Sequence, residues 1–122
     1  MSGIRLPRVK WALSWVVGAI AVTALAAKAE VRTAFLATGE SQTYINQFSE
    51  QEDIYADCDA NCSDIDMYLY DTKTDKLVAS DTLLDPYPFV TTPYAGEFRI
   101  EVVMVTCLVD VCEVWTDSNQ GF

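Results

Sequence analysis

Apolar and polar residues alternate along two stretches of the chain, residues 65–70 and residues 98–105. A period of two places successive side chains on opposite faces of a strand, so both stretches are predicted to be half-buried β-strands. A polar turn over residues 71–75 and a returning strand over residues 76–80 predict a hairpin after the first of them.

Weaker alternation predicts four more short strands, at residues 32–36, 42–48, 89–92 and 113–116. No stretch after residue 30 has a helical period, and turn residues such as Pro86, Pro88 and Gly96 separate the predicted strands. Several short strands with regular turn signals are typical of an all-β fold. The pattern therefore predicts a small antiparallel β-sandwich of the jelly-roll kind.

The first 29 residues have the composition of an export signal. Three basic residues precede an apolar run over residues 11–27, and small residues follow at Ala24-Leu25-Ala26 and Ala27-Lys28-Ala29, two candidate cleavage sites. An uncleaved anchor is the alternative, but the run lies at the lower limit of the roughly 17–25 residues that span a bilayer. We predict a cleaved signal peptide over residues 1–29, a single domain over residues 30–122, a periplasmic or secreted location, and no membrane contact after cleavage.

Removal of that segment makes the protein strongly acidic. All 18 acidic residues follow Ala29, against four basic ones, so the net charge of residues 30–122 is −14. Such a charge repels phosphates and anionic lipids, which excludes nucleic acid and anionic membranes as partners. Divalent cation binding, adaptation to a salty environment and simple solubility remain as explanations of the charge.

Four cysteines form two closely spaced pairs, Cys58 with Cys62 and Cys107 with Cys112. An even number of cysteines in a small exported chain indicates disulfides, whereas structural zinc usually takes tighter spacings, and the chain contains no His. Three connectivities satisfy the sequence. The two local bridges, Cys58–Cys62 and Cys107–Cys112, are the simplest because each closes a short turn-like segment.

Oxygen donors are concentrated around the first cysteine pair and recur after the hairpin. The candidate calcium ligands are Asp57, Asp59, Asn61, Asp64, Asp66, Asp81 and Asp85. Calcium takes six to eight oxygen ligands, although an EF-hand is excluded because Cys62 stands at the glycine position and Tyr68 at the position of the bidentate Glu. The alternative is that these acids form turns and protect strand edges.

Aromatic residues on the predicted strands suggest a contact surface for a protein or polymer. Tyr68 and Tyr70 are the candidates, with Trp115 and Tyr94 as further members. The alternative is that they follow β-propensity on a solvated face. Because the chain has no His and no Gly-x-Ser-x-Gly motif, no catalytic residue is predicted.

Three segments together resemble the bacterial pre-peptidase C-terminal domain family. They are Asp-Ile-Asp-Met-Tyr-Leu-Tyr-Asp at residues 64–71, Leu-Val-Ala-Ser-Asp at residues 77–81, and Ala-Gly-Glu-Phe-Arg-Ile-Glu-Val at residues 95–102. Phe98 stands where the family usually has Tyr, and the turn at residues 72–75 lacks the usual Gly. The resemblance implies a non-catalytic β-sandwich, typically attached to secreted peptidases, some members of which bind calcium or polymers such as collagen.

The function predicted from the sequence is therefore that of an exported, non-catalytic binding or accessory module with calcium as a candidate ligand. Its partner would be an extracellular or periplasmic protein or polymer. A purely structural or envelope stress-resistance protein without a ligand is the main alternative. A small hydrolase is a remote one, since no carboxylate pair stands out for catalysis.

Overall fold

The computed structural model describes residues 31–122, and the predicted signal peptide, residues 1–29, lies outside the described residues. Residues 31–122 form a compact unit without helices. Its eight strands are β1 (Arg32–Leu36), β2 (Ser41–Phe48), β3 (Asp53–Cys58), β4 (Cys62–Asp71), β5 (Lys76–Asp81), β6 (Phe89–Thr91), β7 (Gly96–Cys107) and β8 (Cys112–Ser118).

The strands form two four-stranded antiparallel sheets that we call sheet A and sheet B. Sheet A has the order β1-β8-β3-β6, and sheet B has the order β2-β7-β4-β5. Successive strands alternate between the sheets except at the β4–β5 hairpin, which gives the nested Greek keys of a jelly roll. The predicted antiparallel jelly-roll sandwich is confirmed.

The core lies between the sheets and is built from the alternate residues of each strand. Sheet B contributes seven fully buried side chains, those of Ile65, Met67, Leu69, Phe98, Ile100, Val102 and Met104. Sheet A contributes six buried and mostly smaller side chains opposite them, those of Ala34, Leu36, Ile54, Ala56, Val90 and Val114. Because side chains alternate across a strand, burying one set turns the intervening residues outward.

Strand β3 was not predicted from the sequence. Only two of its residues, Ile54 and Ala56, point inward, and Ala has low β-propensity, so the alternation that predicts a strand is weak there. Strand β4 also begins earlier than predicted, at Cys62 rather than Ile65, and its register with β7 shifts on both sides of Asp64. These irregularities bury Asp64 beside Ile65, where strict alternation would turn it outward.

The β4–β5 hairpin is organised by the carboxylate of Asp71. Its Oδ1 accepts the backbone N–H groups of Lys73 at 2.7 Å and Thr74 at 3.3 Å, and its Oδ2 accepts the Tyr94 hydroxyl at 2.5 Å. Asp75 takes the left-handed conformation, with φ 58°, in a turn that contains no Gly. Asp tolerates this conformation better than most residues, which explains why the turn forms without glycine.

Two disulfides lie side by side at one end of the sandwich. Cys58 is bonded to Cys62 and Cys107 to Cys112, with Cα atoms 5.9 Å apart in each pair. Cys62 and Cys107 are also opposite one another in the β4–β7 register. The structure therefore contains the two local bridges that were the simplest of the three connectivities.

The last residue closes the opposite end of the core. Phe122 is 9% exposed, packs edge-on against Phe48 with ring centroids 5.1 Å apart, and lies under the guanidinium of Arg32 at 4.5 Å. Gly121 has φ 79°, a conformation that favours glycine and turns the chain back onto the sandwich. Phe122 is thus part of the packed structure.

Candidate functional site

The acidic loop between β3 and β4 is held by its own carboxylates. Asp59 accepts the N–H of Asn61 at 3.0 Å through Oδ1 and that of Glu113 at 2.8 Å through Oδ2, which ties the loop to β8. Asp57 Oδ1 accepts the N–H of Cys58 at 2.7 Å, and the Asn61 carbonyl accepts the N–H of Leu108 at 2.8 Å. These polar groups stabilise the stapled turn.

Asp81 and Asp85 organise the loop between β5 and β6. The two oxygens of Asp81 accept the N–H groups of Leu83 at 3.1 Å and Phe89 at 2.9 Å, at the two ends of the loop. Asp85 Oδ1 accepts the N–H of Tyr87 at 2.8 Å. Both carboxylates therefore stabilise turns. This is the structural role that the sequence offered as the alternative to calcium binding for these residues.

Asp64 and Asp66 differ from the other acids because each has a buried oxygen without a partner. Asp64 is 5% exposed, and neither its Oδ1 nor the Oδ1 of Asp66 accepts a hydrogen bond within residues 31–122. Burial raises the pKa of Asp66, and the neighbouring charges of Asp64 and Asp81 raise that pKa further. A cation between Asp64 and Asp66 would compensate this unfavourable charge.

The seven predicted calcium ligands do not converge on one point. Among residues 31–122, no three acidic or cysteine side chains are arranged to hold a metal ion. Asp64 and Asp66 are the two acids of this set that each have one buried oxygen without a partner within residues 31–122. Calcium binding stays a prediction, and these two residues are the ones on which it would depend.

Tyr68 and Tyr70 point outward from sheet B, but they do not share a surface with the other predicted aromatics. The guanidinium of Arg99 covers the Tyr70 ring at 4.5 Å. Trp115 belongs to sheet A, and the Tyr94 ring packs against Phe98 with centroids 5.4 Å apart. The grouping of Trp115 and Tyr94 with the two strand tyrosines was therefore wrong.

The outer side of sheet A carries one aromatic residue from each of its four strands. These four residues, which we call the aromatic face, are Phe35 on β1, Trp115 on β8, Tyr55 on β3 and Phe89 on β6. Phe35 is 64% exposed, Phe89 51% and Tyr55 39%, and Trp115 is half-buried. Each occupies an outward position between buried neighbours on its own strand.

The register places the four rings along a diagonal of the sheet. Tyr55 is directly opposite Phe89, whereas Trp115 is opposite Asp57, two residues from Tyr55, and Phe35 is opposite Glu113, two residues from Trp115. Direct neighbours have Cβ atoms about 5 Å apart, and diagonal neighbours about 7–8 Å. The four residues therefore form a row across all four strands.

The Tyr55 side chain lies along the sheet. Its hydroxyl donates to the Ser118 carbonyl on β8, 3.4 Å away, so the ring reaches toward the neighbouring strand at a position three residues beyond Trp115. Sequence analysis missed the row because its members are far apart along the chain. The local signals were the positions of Phe35 between Ala34 and Leu36 and of Tyr55 between Ile54 and Ala56.

No protein-family model matches the chain, and no curated protein matches it. Within residues 31–122, no helix is long and apolar enough to cross a membrane.

Proposed function

We propose that residues 30–122 are an exported, non-catalytic binding module that contacts an extracellular or periplasmic protein or polymer through the aromatic face. The observation that carries this proposal is that every strand of sheet A exposes one aromatic side chain on the same side. Aromatic rings supply large contact area at a low cost in side-chain entropy, and Tyr and Trp are enriched where proteins bind partners.

A sheet face that contacts only water would not need one exposed aromatic residue on each of its four strands. Single exposed apolar residues are common, whereas exposed aromatic residues aligned across all four strands of a sheet favour an interaction site. The face is also rigid, because the sandwich fixes the backbone and the rings do not depend on a loop for their position. Rigid aromatic anchors reduce the ordering cost of binding.

The proposed location rests on the amino-terminal segment and on the disulfides. Both bridges require an oxidising compartment to form and persist, which agrees with export by a cleaved signal peptide over residues 1–29. Membership of the pre-peptidase C-terminal domain family is likewise a proposal, supported by the hairpin, the two acidic strand residues Asp64 and Asp66, and the strand that follows Gly96.

The test is co-sedimentation of the full chain with envelope and extracellular material from the producing cells. The double variant Phe35→Ser and Tyr55→Ser should lose retention, because it removes two of the four rings without touching the core. The matched control is Tyr68→Ser with Tyr70→Ser on the outer side of sheet B, which should retain binding.

Each outcome decides between the hypotheses. Loss of retention only in the Tyr68 and Tyr70 variant would move the contact surface to sheet B, as the sequence suggested, and would refute the aromatic face. Absence of retention for the unaltered, folded chain would favour the structural or stress-resistance role without a ligand.

Calcium is a second candidate ligand, favoured by the unpartnered buried oxygens of Asp64 and Asp66. Calorimetric titration of the oxidised full chain with calcium should show saturable heat that is lost in Asp64→Asn and Asp66→Asn. The matched control is Asp59→Asn, because both oxygens of the Asp59 carboxylate already accept backbone N–H groups. No heat from the folded chain would remove calcium from the proposed function.

A further inference from the structure

Negative charge accompanies the rings on the outer side of sheet A. Four acidic residues, which we call the acidic quartet, occupy outward positions on β3 and β8: Asp53, Asp57, Glu113 and Asp117. The only other outward residues on the four strands are Thr33 and Thr91, judged by the same alternation. This side of the described sheet therefore has four rings, four carboxylates and no cation.

Acids and rings alternate across neighbouring strands. Glu113 is opposite Phe35, Asp57 is opposite Trp115, and Asp117 is opposite Tyr55. Directly opposite side chains on an antiparallel pair have Cβ atoms about 5 Å apart. Three of the four rings are thus next to a carboxylate on the adjoining strand.

The fold does not neutralise these carboxylates. In each aspartate of the quartet, Oδ1 accepts one hydrogen bond at 2.7–2.9 Å, whereas Oδ2 accepts none from residues 31–122. Within that segment the one ion pair joins Arg99 to Asp75, on sheet B and its hairpin. Arg32 lies over Phe122. Mutual repulsion among the four charges has no compensation within the described sandwich.

We propose that the aromatic face and the acidic quartet bind an extended, cationic polypeptide segment through its Lys or Arg side chains. This inference rests on the proposed function, because it assigns the chemistry of a partner to the same surface. A cation over an aromatic ring is attracted by the electrons of the ring face, and an adjacent carboxylate adds a charge-assisted hydrogen bond. Arg is favoured because its planar guanidinium makes both contacts at once.

The spacing of the row favours a polypeptide in the extended conformation. Alternate side chains of such a chain are about 6.6–6.8 Å apart on one side. The diagonal steps from Phe35 to Trp115 and from Trp115 to Tyr55 are about 7–8 Å. A segment lying along the diagonal would place every second side chain near a ring and its neighbouring carboxylate.

The test measures binding of a synthetic decapeptide of alternating Arg and Gly to the full oxidised chain by calorimetry. The comparison peptide replaces every Arg by citrulline, which keeps the shape and removes the charge. The arginine peptide should bind, the citrulline peptide should bind at least tenfold more weakly, and salt should weaken the first interaction because it screens exposed charges.

Variants separate the contribution of the aromatic rings from that of the carboxylates. Phe35→Ser and Tyr55→Ser should each reduce affinity about two- to fivefold, the effect of one exposed cation–π contact. Asp57→Asn with Asp117→Asn should reduce affinity and flatten its salt dependence, whereas Tyr68→Ser with Tyr70→Ser should leave both unchanged. A single cooperative urea transition in each variant establishes that the fold is retained.

Two results would overturn the inference while leaving the proposed function standing: equal affinity for the arginine and citrulline peptides, or preference for an uncharged polysaccharide that still depends on Phe35 and Tyr55. A third result, no binding of the arginine peptide and no retention on envelope or extracellular material, would refute both proposals together.

Discussion

Replacing Phe122 by Ala should strongly destabilise the protein, although the residue is the last in the sequence. The ring is 9% exposed and makes edge contacts with Phe48 and Tyr44 at centroid distances of 5.1 and 6.2 Å. Arg32 lies 4.5 Å above it. The substitution therefore removes burial, two aromatic contacts and a cation–π contact in one step.

The magnitude follows from these contacts. Burying a Phe side chain stabilises a fold by about 1.5–3 kcal/mol. Each aromatic pair adds about 0.5–1.5 kcal/mol, and an exposed cation–π contact about 0.5–1 kcal/mol. Phe→Ala substitutions in cores cost about 3–5 kcal/mol, and we expect the lower value, about 3 kcal/mol, because Phe122 is 9% exposed. In a domain of this size that lowers Tm by roughly 12–24 °C.

The assay is urea unfolding of the oxidised full chain followed by far-ultraviolet circular dichroism. Two variants divide the effect into its parts. Phe122→Leu keeps most of the apolar burial and should cost about 1.5–2 kcal/mol through the two lost ring pairs and the lost cation–π contact. Arg32→Met removes only the cation and should cost about 0.5–1 kcal/mol. A loss below about 1 kcal/mol for Phe122→Ala would refute the reasoning, since it would mean that the ring is not packed.

Three other predictions concern titration and covalent bonds. Asp66→Asn should raise the urea midpoint at pH 7, and the gain should disappear as pH falls below the unfolded pKa, because burial raises the pKa of Asp66 and penalises its ionised form. Tyr94→Phe should lower the urea midpoint at pH 7, since the Tyr94 hydroxyl is the main cause of the lowered pKa of Asp71. That stabilisation is complete above the unfolded pKa of about 3.9 and is lost as pH falls through the folded value, so the two midpoints should converge there. Replacing Cys107 and Cys112 by Ala should cost about 2 kcal/mol in urea unfolding without changing the fold; loss of the β-sheet spectrum would show that the bridge is needed for folding.

The predictions from sequence were most successful where the signal is local. The hairpin around residues 71–75 was recognised from its apolar alternation, and the structure explains how Asp71 and Asp75 form a turn that lacks glycine. The predicted calcium site depends on residues that are distant along the chain, and no three acidic or cysteine side chains within residues 31–122 are arranged to hold a metal ion. Asp59 and Asp81 accept backbone N–H groups, a role that cannot be separated from metal binding until the loop path is known.

The amino-acid sequence alone established the fold class, seven of the eight strands in residues 31–122 and the acidic character of this protein. Each depends on neighbouring residues or on a sum over the chain: alternation needs only adjacent positions, and charge needs only counting. Only the tertiary structure decided that Phe35, Tyr55, Phe89 and Trp115 form one row. Their strands come from distant parts of the chain, and they meet because jelly-roll order and antiparallel register bring them to one side of sheet A. Register is a pairing between remote residues, which no local pattern specifies.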